Sequence, residues 1–308
     1  MCTIAFMALS GSRSIYAAIE HRGWLPWGAL APFLALAFVI ATELVGVPLV
    51  KPIARFDEKF APLDPFALFA YTLVPFGLLG LLVLAWVRFV ERRSFASIGL
   101  CGEHQAKTFF VGHSIGMGSI LGVVALIALG GGLITTGAAT AWATSSALGS
   151  IALLLIGFGV QSSVEELLFR GWLLSLLAKK FNVVVAVIVN AALFALLHFS
   201  RGEPWLVNVA DFAFGVFTCA WALRTRNILG VMGWHAGWNW LLAVGFGLPL
   251  TGIDVGIPAL LVDLEPVGPA WLTGGREGPE GSVICLAVFV LATAWLFLAR
   301  KPAAPSIA

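Results

Sequence analysis

Three stretches interrupt long apolar runs with ionisable or amide side chains at helical spacing: Glu165-Glu166-Leu-Leu-Phe-Arg170, Phe194-Ala-Leu-Leu-His198 and His235-Ala-Gly-Trp-Asn239. Residues four apart share one face of a helix, whereas neighbours are splayed by about 100°. Glu166 is therefore expected to pair with Arg170 and to leave Glu165 free. A free carboxylate in a low-dielectric cavity is suited to proton transfer. Glu165 and His198 lie about 16 residues on either side of the Lys180 to Asn182 turn, so an antiparallel helix pair would bring them to one depth, roughly 25 Å from that turn. His235 and Asn239 project from one face, and both can donate hydrogen bonds. These are the parts for amide hydrolysis. Glu165 would act as general base on a water that His198 helps to position, with His235 and Asn239 holding the oxyanion and Glu166 with Arg170 in support. Ser162 and Ser163 precede Glu165 on the same helix and Cys219 has no partner nearby in sequence, so activated water is a simpler nucleophile than a side chain.

The elements that must carry these residues are membrane helices. The 308 residues are 60% hydrophobic and 11% charged, with mean hydropathy +0.97, far from the roughly 25% charged of a soluble domain. The apolar residues come in runs rather than alternating, which argues for spanning helices and against an outer-membrane barrel. The expected fold is an all-α polytopic membrane protein: a bundle of about eight transmembrane helices around an intramembrane catalytic cavity. Spans of about 20 residues fit Trp27 to Val50, Pro65 to Val90, Thr108 to Ile134, Leu148 to about Leu168, Val183 to Phe199, Trp205 to Leu223, Ile228 to Leu248 and Val283 to Ala299. This divides the chain into an N-terminal segment 1–26, three helices within 27–146, a catalytic core of four helices at 147–248, and 249–308 with a long loop, a last helix and a tail. The run from Met1 to Leu9 is too short to span and no small-residue cleavage pattern follows it, so a cleaved signal peptide is not expected.

Thirteen of the 18 Lys and Arg fall in the termini and the alternate loops between them. By the positive-inside rule both termini are expected on the cytoplasmic side of a bacterial-type membrane. The acidic stretch Thr251 to Ser282 then lies on the outer face. His235 begins about nine residues past Arg226, roughly 14 Å along a helix. Its depth matches that of Glu165 only if part of Gly171 to Lys180 projects beyond the membrane as a helical hairpin, with the site nearer the cytoplasmic half. Gly112 with Gly116, and Gly118 with Gly122, read as close-packing pairs; His113 between them reads as structural. Glu43 and Asp211 stand alone in their spans and read as protonated or locally hydrogen-bonded packing residues. Cys2, Cys101, Cys219 and Cys285 have no C-x-x-C spacing and read as packing thiols. A net charge of +2 with no basic block gives no footprint for nucleic acid.

In their order and spacing, the three motifs resemble those of the CPBP intramembrane proteases, the family of the Rce1-type CAAX prenyl endopeptidases and their bacterial Abi relatives. The resemblance covers about Ala147 to Leu248. Arg92-Arg93-Ser-Phe-Ala-Ser-Ile-Gly-Leu100 resembles a basic Ser-x-x-Gly-Leu segment of that family, and Phe214 to Gly230 resembles the segment before the last motif. Arg226-Asn227 departs from it, since many relatives have Gly-Ser there. The resemblance implies an eight-helix fold with a cavity open to the membrane, Glu165 and His198 activating water, His235 and Asn239 as oxyanion hole, and a membrane-associated peptide or protein tail as substrate. Relatives are commonly labelled metalloproteases, and two His, Glu and Asn could ligate zinc. Glu-Glu-x-x-x-Arg is not the His-Glu-x-x-His helix of the zincins, so no metal or other cofactor is expected. Two rival readings are a non-catalytic protein of the same fold serving immunity or partner binding, and a proton-coupled transporter using Glu165, His198 and Asp211 as a relay.

Overall fold

The computed structural model describes residues 14–58, 60–199 and 204–299, and they are mostly helical. Helix α1 spans Ala31–Val50, and α2 spans Pro65–Ala85 and runs on through a π-helical turn, Trp86–Val90. Helix α3 is Gln105–Leu129 and α4 is Ser145–Glu166, followed by a second π-helical segment, Leu167–Leu173, and by α5, Leu174–Lys180. Helices α6 (Val183–His198), α7 (Trp205–Thr225) and α8 (Leu229–Gly245) complete the core. A single turn α9, Ala270–Thr273, precedes α10, Val283–Leu298. Starts follow local chemistry: Asp64, Thr144, Asn182 and Ser282 accept from a backbone N–H of the first turn of α2, α4, α6 and α10, the usual role of these residues at N-caps.

Among the described residues five helices are long and apolar enough to cross a membrane: Ala31–Val50, Pro65–Val90, Gln105–Leu129, the continuous Ser145–Lys180 and Trp205–Thr225. Val183–His198 and Val283–Leu298 are shorter apolar helices, and α8 has 17 residues. The fourth helix does not stop near Leu168. It continues without a break for 36 residues, because its second half is buried in protein: every side chain from Leu167 to Ala178 is buried. The N-terminal segment, the 91–101 loop and the 226–228 turn close around that half. Gly23 donates to Glu91 O, Lys179 Nζ to Ile19 O, Arg226 to Tyr16 O, and Ile228 N to Gly99 O. The basic stretches thus meet at one end of the bundle. The fold is also not wholly α. Leu133–Ala138 (β1) and Val262–Pro266 (β2) pair antiparallel with a bulge between Thr135 and Gly137, joining the α3–α4 loop to the α8–α10 loop.

The tightest helix pair is α3 with α8. Cβ atoms at Gly112 and Gly116 would collide with the carbonyls of Gly230 and Trp234, and at Gly233 and Gly237 with those of Phe109 and His113. Small residues on both helices therefore let the backbones touch. Gly118 and Gly122 have no atom near a built Cβ, so they are not a packing pair: they lie on the other side of α3. Gly237→Ala should cost about 1–3 kcal/mol by overpacking and, since it sits between His235 and Asn239, lower activity as well. Gly118→Ala should change neither, as read by tryptophan-fluorescence melting of detergent-solubilised protein.

Candidate active site

Two π-helical turns shape the ground under the site. The second directly follows Glu165-Glu166 and contains Arg170. A π turn shifts the backbone ladder by one residue and frees carbonyls that need other donors. Asn190 Nδ2 of α6 donates to Phe169 O at 2.6 Å, and the phenol of Tyr16 donates to Arg170 O at 2.6 Å. Burial holds the Tyr16 phenol well above its usual range, so it remains a donor. The first π turn, at Trp86–Val90, delivers Glu91 into the protein, where it pairs with Arg93 and accepts from Trp86 Nε1 at 3.1 Å and Trp172 Nε1 at 2.7 Å. Arg93 in turn donates to Ser175 at 3.2 Å. The site helix is thus fixed from both flanks.

The expected division between the glutamates is present in the geometry. Glu166 Oε1 accepts from Arg170 Nη1 at 3.2 Å and from His235 Nδ1 at 3.0 Å, and both partners are buried. Glu165 does not pair with Arg170. Its Oε1 accepts from Gln161 Nε2 at 2.7 Å, and its Oε2 has no hydrogen bond and lies 3.9 Å from His235 Nε2. Arg170 is fully buried, and among the described residues its Nε and Nη2 have no hydrogen-bond partner. Its guanidinium instead lies over the rings of Phe194, Phe214 and Phe169 at 4.6, 5.3 and 5.6 Å, a cation–π arrangement that offsets part of the missing hydration.

Those rings also aim the histidines. The imidazole of His198 stacks on Phe194 at 4.3 Å, and its Nδ1 bonds Phe194 O at 2.9 Å. With Nδ1 as donor to that carbonyl, Nε2 is the acceptor and the nitrogen available to the cavity. Phe214 stacks on Phe194 at 4.9 Å and meets His235 edge-on at 4.9 Å. Asn239 Nδ2 donates to Gln161 Oε1 and Ser162 Oγ, both at 3.2 Å.

A cavity of about 340 Å³ is lined by Glu165, His198, His235 and Asn239 together, so the four residues nominated from sequence share one space. Glu43 and Asp211 line it too, Glu43 accepting from Tyr71 at 3.2 Å. Glu43 is thus locally hydrogen-bonded, as expected, and both residues in addition line the cavity. Glu277 and Glu280 come in from the loop between α8 and α10, and Glu280 is fixed there by Trp238 Nε1 at 2.8 Å and by Thr251. Sequence reasoning passed over Gln161, although a polar residue one turn before Glu165 on an apolar helix was a usable signal. Nothing in the sequence pattern marked the contacts of Phe214 with His235 and Arg170.

Glu166 and His235 Nδ1 are committed to each other and Arg170, and among the described residues no group of three His, Cys, Asp or Glu side chains converges to hold a metal ion.

Compared with known families, residues 145–241 match the family model described as type II CAAX prenyl endopeptidase Rce1-like. The match spans all three motifs and supports the CPBP/CAAX protease assignment. No curated protein and no solved structure was found to match the chain. The long apolar helices make this an integral membrane protein, and its residues 145–241 are similar to the Rce1-like CAAX prenyl endopeptidases.

Proposed function

We propose that the chain is an intramembrane endopeptidase of about eight spanning helices that hydrolyses membrane-associated peptides or protein tails with a water activated by Glu165 and His198. The observation carrying this reading is the single cavity lined together by Glu165, with one carboxylate oxygen lacking a hydrogen bond, by His198, whose Nδ1 is taken up by a backbone carbonyl, and by the two potential oxyanion donors His235 and Asn239. Glu165 removes one proton from water while His198 Nε2 accepts a hydrogen bond from the O–H that remains, and the hydroxide oxygen adds to the scissile carbonyl carbon. The carbonyl oxygen takes the negative charge and is met by Asn239 and by Nε2–H of a doubly protonated His235 whose Nδ1–H remains on Glu166. Asn239 reaches it by exchanging one of its two 3.2 Å bonds. Collapse of the intermediate breaks the C–N bond, and Glu165 returns its proton to the leaving amine.

No step in this sequence uses a metal. Cleavage of a quenched fluorescent peptide library by purified protein in lipid should therefore survive a strong chelator unchanged. Loss of activity with chelator and its return with zinc would replace the glutamate mechanism by a metalloprotease one. From the distribution of Lys and Arg we infer that the basic loops and both termini lie on the cytoplasmic side of a bacterial-type membrane.

A further inference from the structure

Between the proposed base and the proposed oxyanion donor stands one side chain that belongs to none of the three motifs. Gln161 lies one turn before Glu165 on α4. Its Nε2 donates to Glu165 Oε1 at 2.7 Å, and its Oε1 accepts from Ser162 Oγ at 2.9 Å and from Asn239 Nδ2 at 3.2 Å. The polarity of this chain has a single source. An ionised carboxylate can only accept, so the NH2 of Gln161 must face Glu165 and its carbonyl must face Asn239. The Asn239 amide must then present its NH2 to α4. The ionisation of one carboxylate thereby sets the orientation of a side chain on another helix.

We propose that Gln161 is a positioning residue for the reaction: it holds the Glu165 carboxylate at one oxygen, leaving the other without a hydrogen bond, and orients the Asn239 amide so that its NH2 faces the Glu165-bearing helix. Without Gln161, Glu165 Oε1 would have no donor and could rotate toward His235, whose Nε2 lies 3.9 Å from Oε2. Asn239 would lose the acceptor that fixes its amide and retain only Ser162. Such a role acts on the geometry of the reacting groups more than on substrate binding, and small misplacements of that kind cost on the order of 100-fold in rate.

This inference rests on the protease reading, and Gln161→Met separates the two. Met is nearly isosteric, suits an apolar helix and has no strong donor or acceptor. The purified full chain in lipid should keep its melting transition and KM for a cleaved peptide, while kcat falls about 10–100-fold. Gln161→Glu keeps both acceptor contacts but sets a second carboxyl against Glu165; it should be slower than Gln161→Met, and it asks the same question if the Met variant does not fold. Wild-type kcat in either folded variant overturns the positioning role. A rise in KM with kcat unchanged overturns it too, making Gln161 a substrate contact. Glu165→Gln is the control: if that variant still cleaves, the protease mechanism itself is wrong, whereas an inactive Glu165→Gln beside a fully active Gln161→Met removes Gln161 alone.

Discussion

Glu165→Gln should lower kcat by about 10²–10⁴-fold while leaving the melting transition of the protein where it is. The amide has the size of the carboxyl, and its oxygen can still accept from Gln161 Nε2, so no buried group loses its partner. What disappears is the capacity to take a proton from water. Glu166→Gln should behave differently although the two residues are neighbours. Glu166 is fully buried and its Oε1 serves Arg170 and His235 at once. Removing its charge leaves a buried guanidinium without a counter-ion and weakens the anchor of His235, so stability and activity fall together. The twelve tryptophans make intrinsic fluorescence a direct readout of melting, and the same preparations can be assayed for peptide cleavage. Equal losses of stability in both variants would mean that the two glutamates have no separate roles.

That separation was legible in the sequence because it depends only on helical spacing: a pair four apart, Glu166 with Arg170, shares one face, and a pair five apart, Glu165 with Arg170, does not. The convergence of Glu165 with His198 was legible for the same reason, from equal distances to a turn. The π segment at Leu167–Leu173 was not. Leu-Leu-Phe-Arg-Gly-Trp-Leu has nothing to distinguish it from an ordinary apolar turn, and the donors that make the π geometry affordable, Tyr16 and Asn190, are supplied by distant parts of the chain. Glycine pairs show the same limit. Gly112 with Gly116 and Gly118 with Gly122 are equivalent as sequence, yet only the first faces a partner helix, because facing depends on how α3 is rotated in the bundle. Glu43 and Asp211 looked solitary within their own spans; their common cavity is lined by residues of α1, α2, α4, α6, α7 and α8 together. Residue type and period fix what one helix presents, and tertiary packing decides what it meets.

Arg170 provides the other large expected effect, and it is on folding. Its side chain is fully buried, holds one carboxylate at 3.2 Å and is covered by three aromatic rings. Removing one member of a buried ion pair costs about 3–5 kcal/mol, because the partner is left charged and without compensation. Arg170→Met should therefore lower the melting transition sharply and reduce the yield of folded protein. The loss should extend beyond the pair, since Phe194 and Phe214 carry His198 and His235 on the ring faces and edges next to the guanidinium. A double variant tests the physics. Replacing both charges with apolar groups of similar length is often close to neutral, so Glu166→Met with Arg170→Met should recover much of the stability lost in Arg170→Met alone. Activity should not return, because His235 Nδ1 would still have lost its acceptor. If the double variant is as unstable as Arg170→Met, the cost lies in the aromatic packing around the guanidinium. If it recovers activity with stability, the ion pair has no part in holding His235.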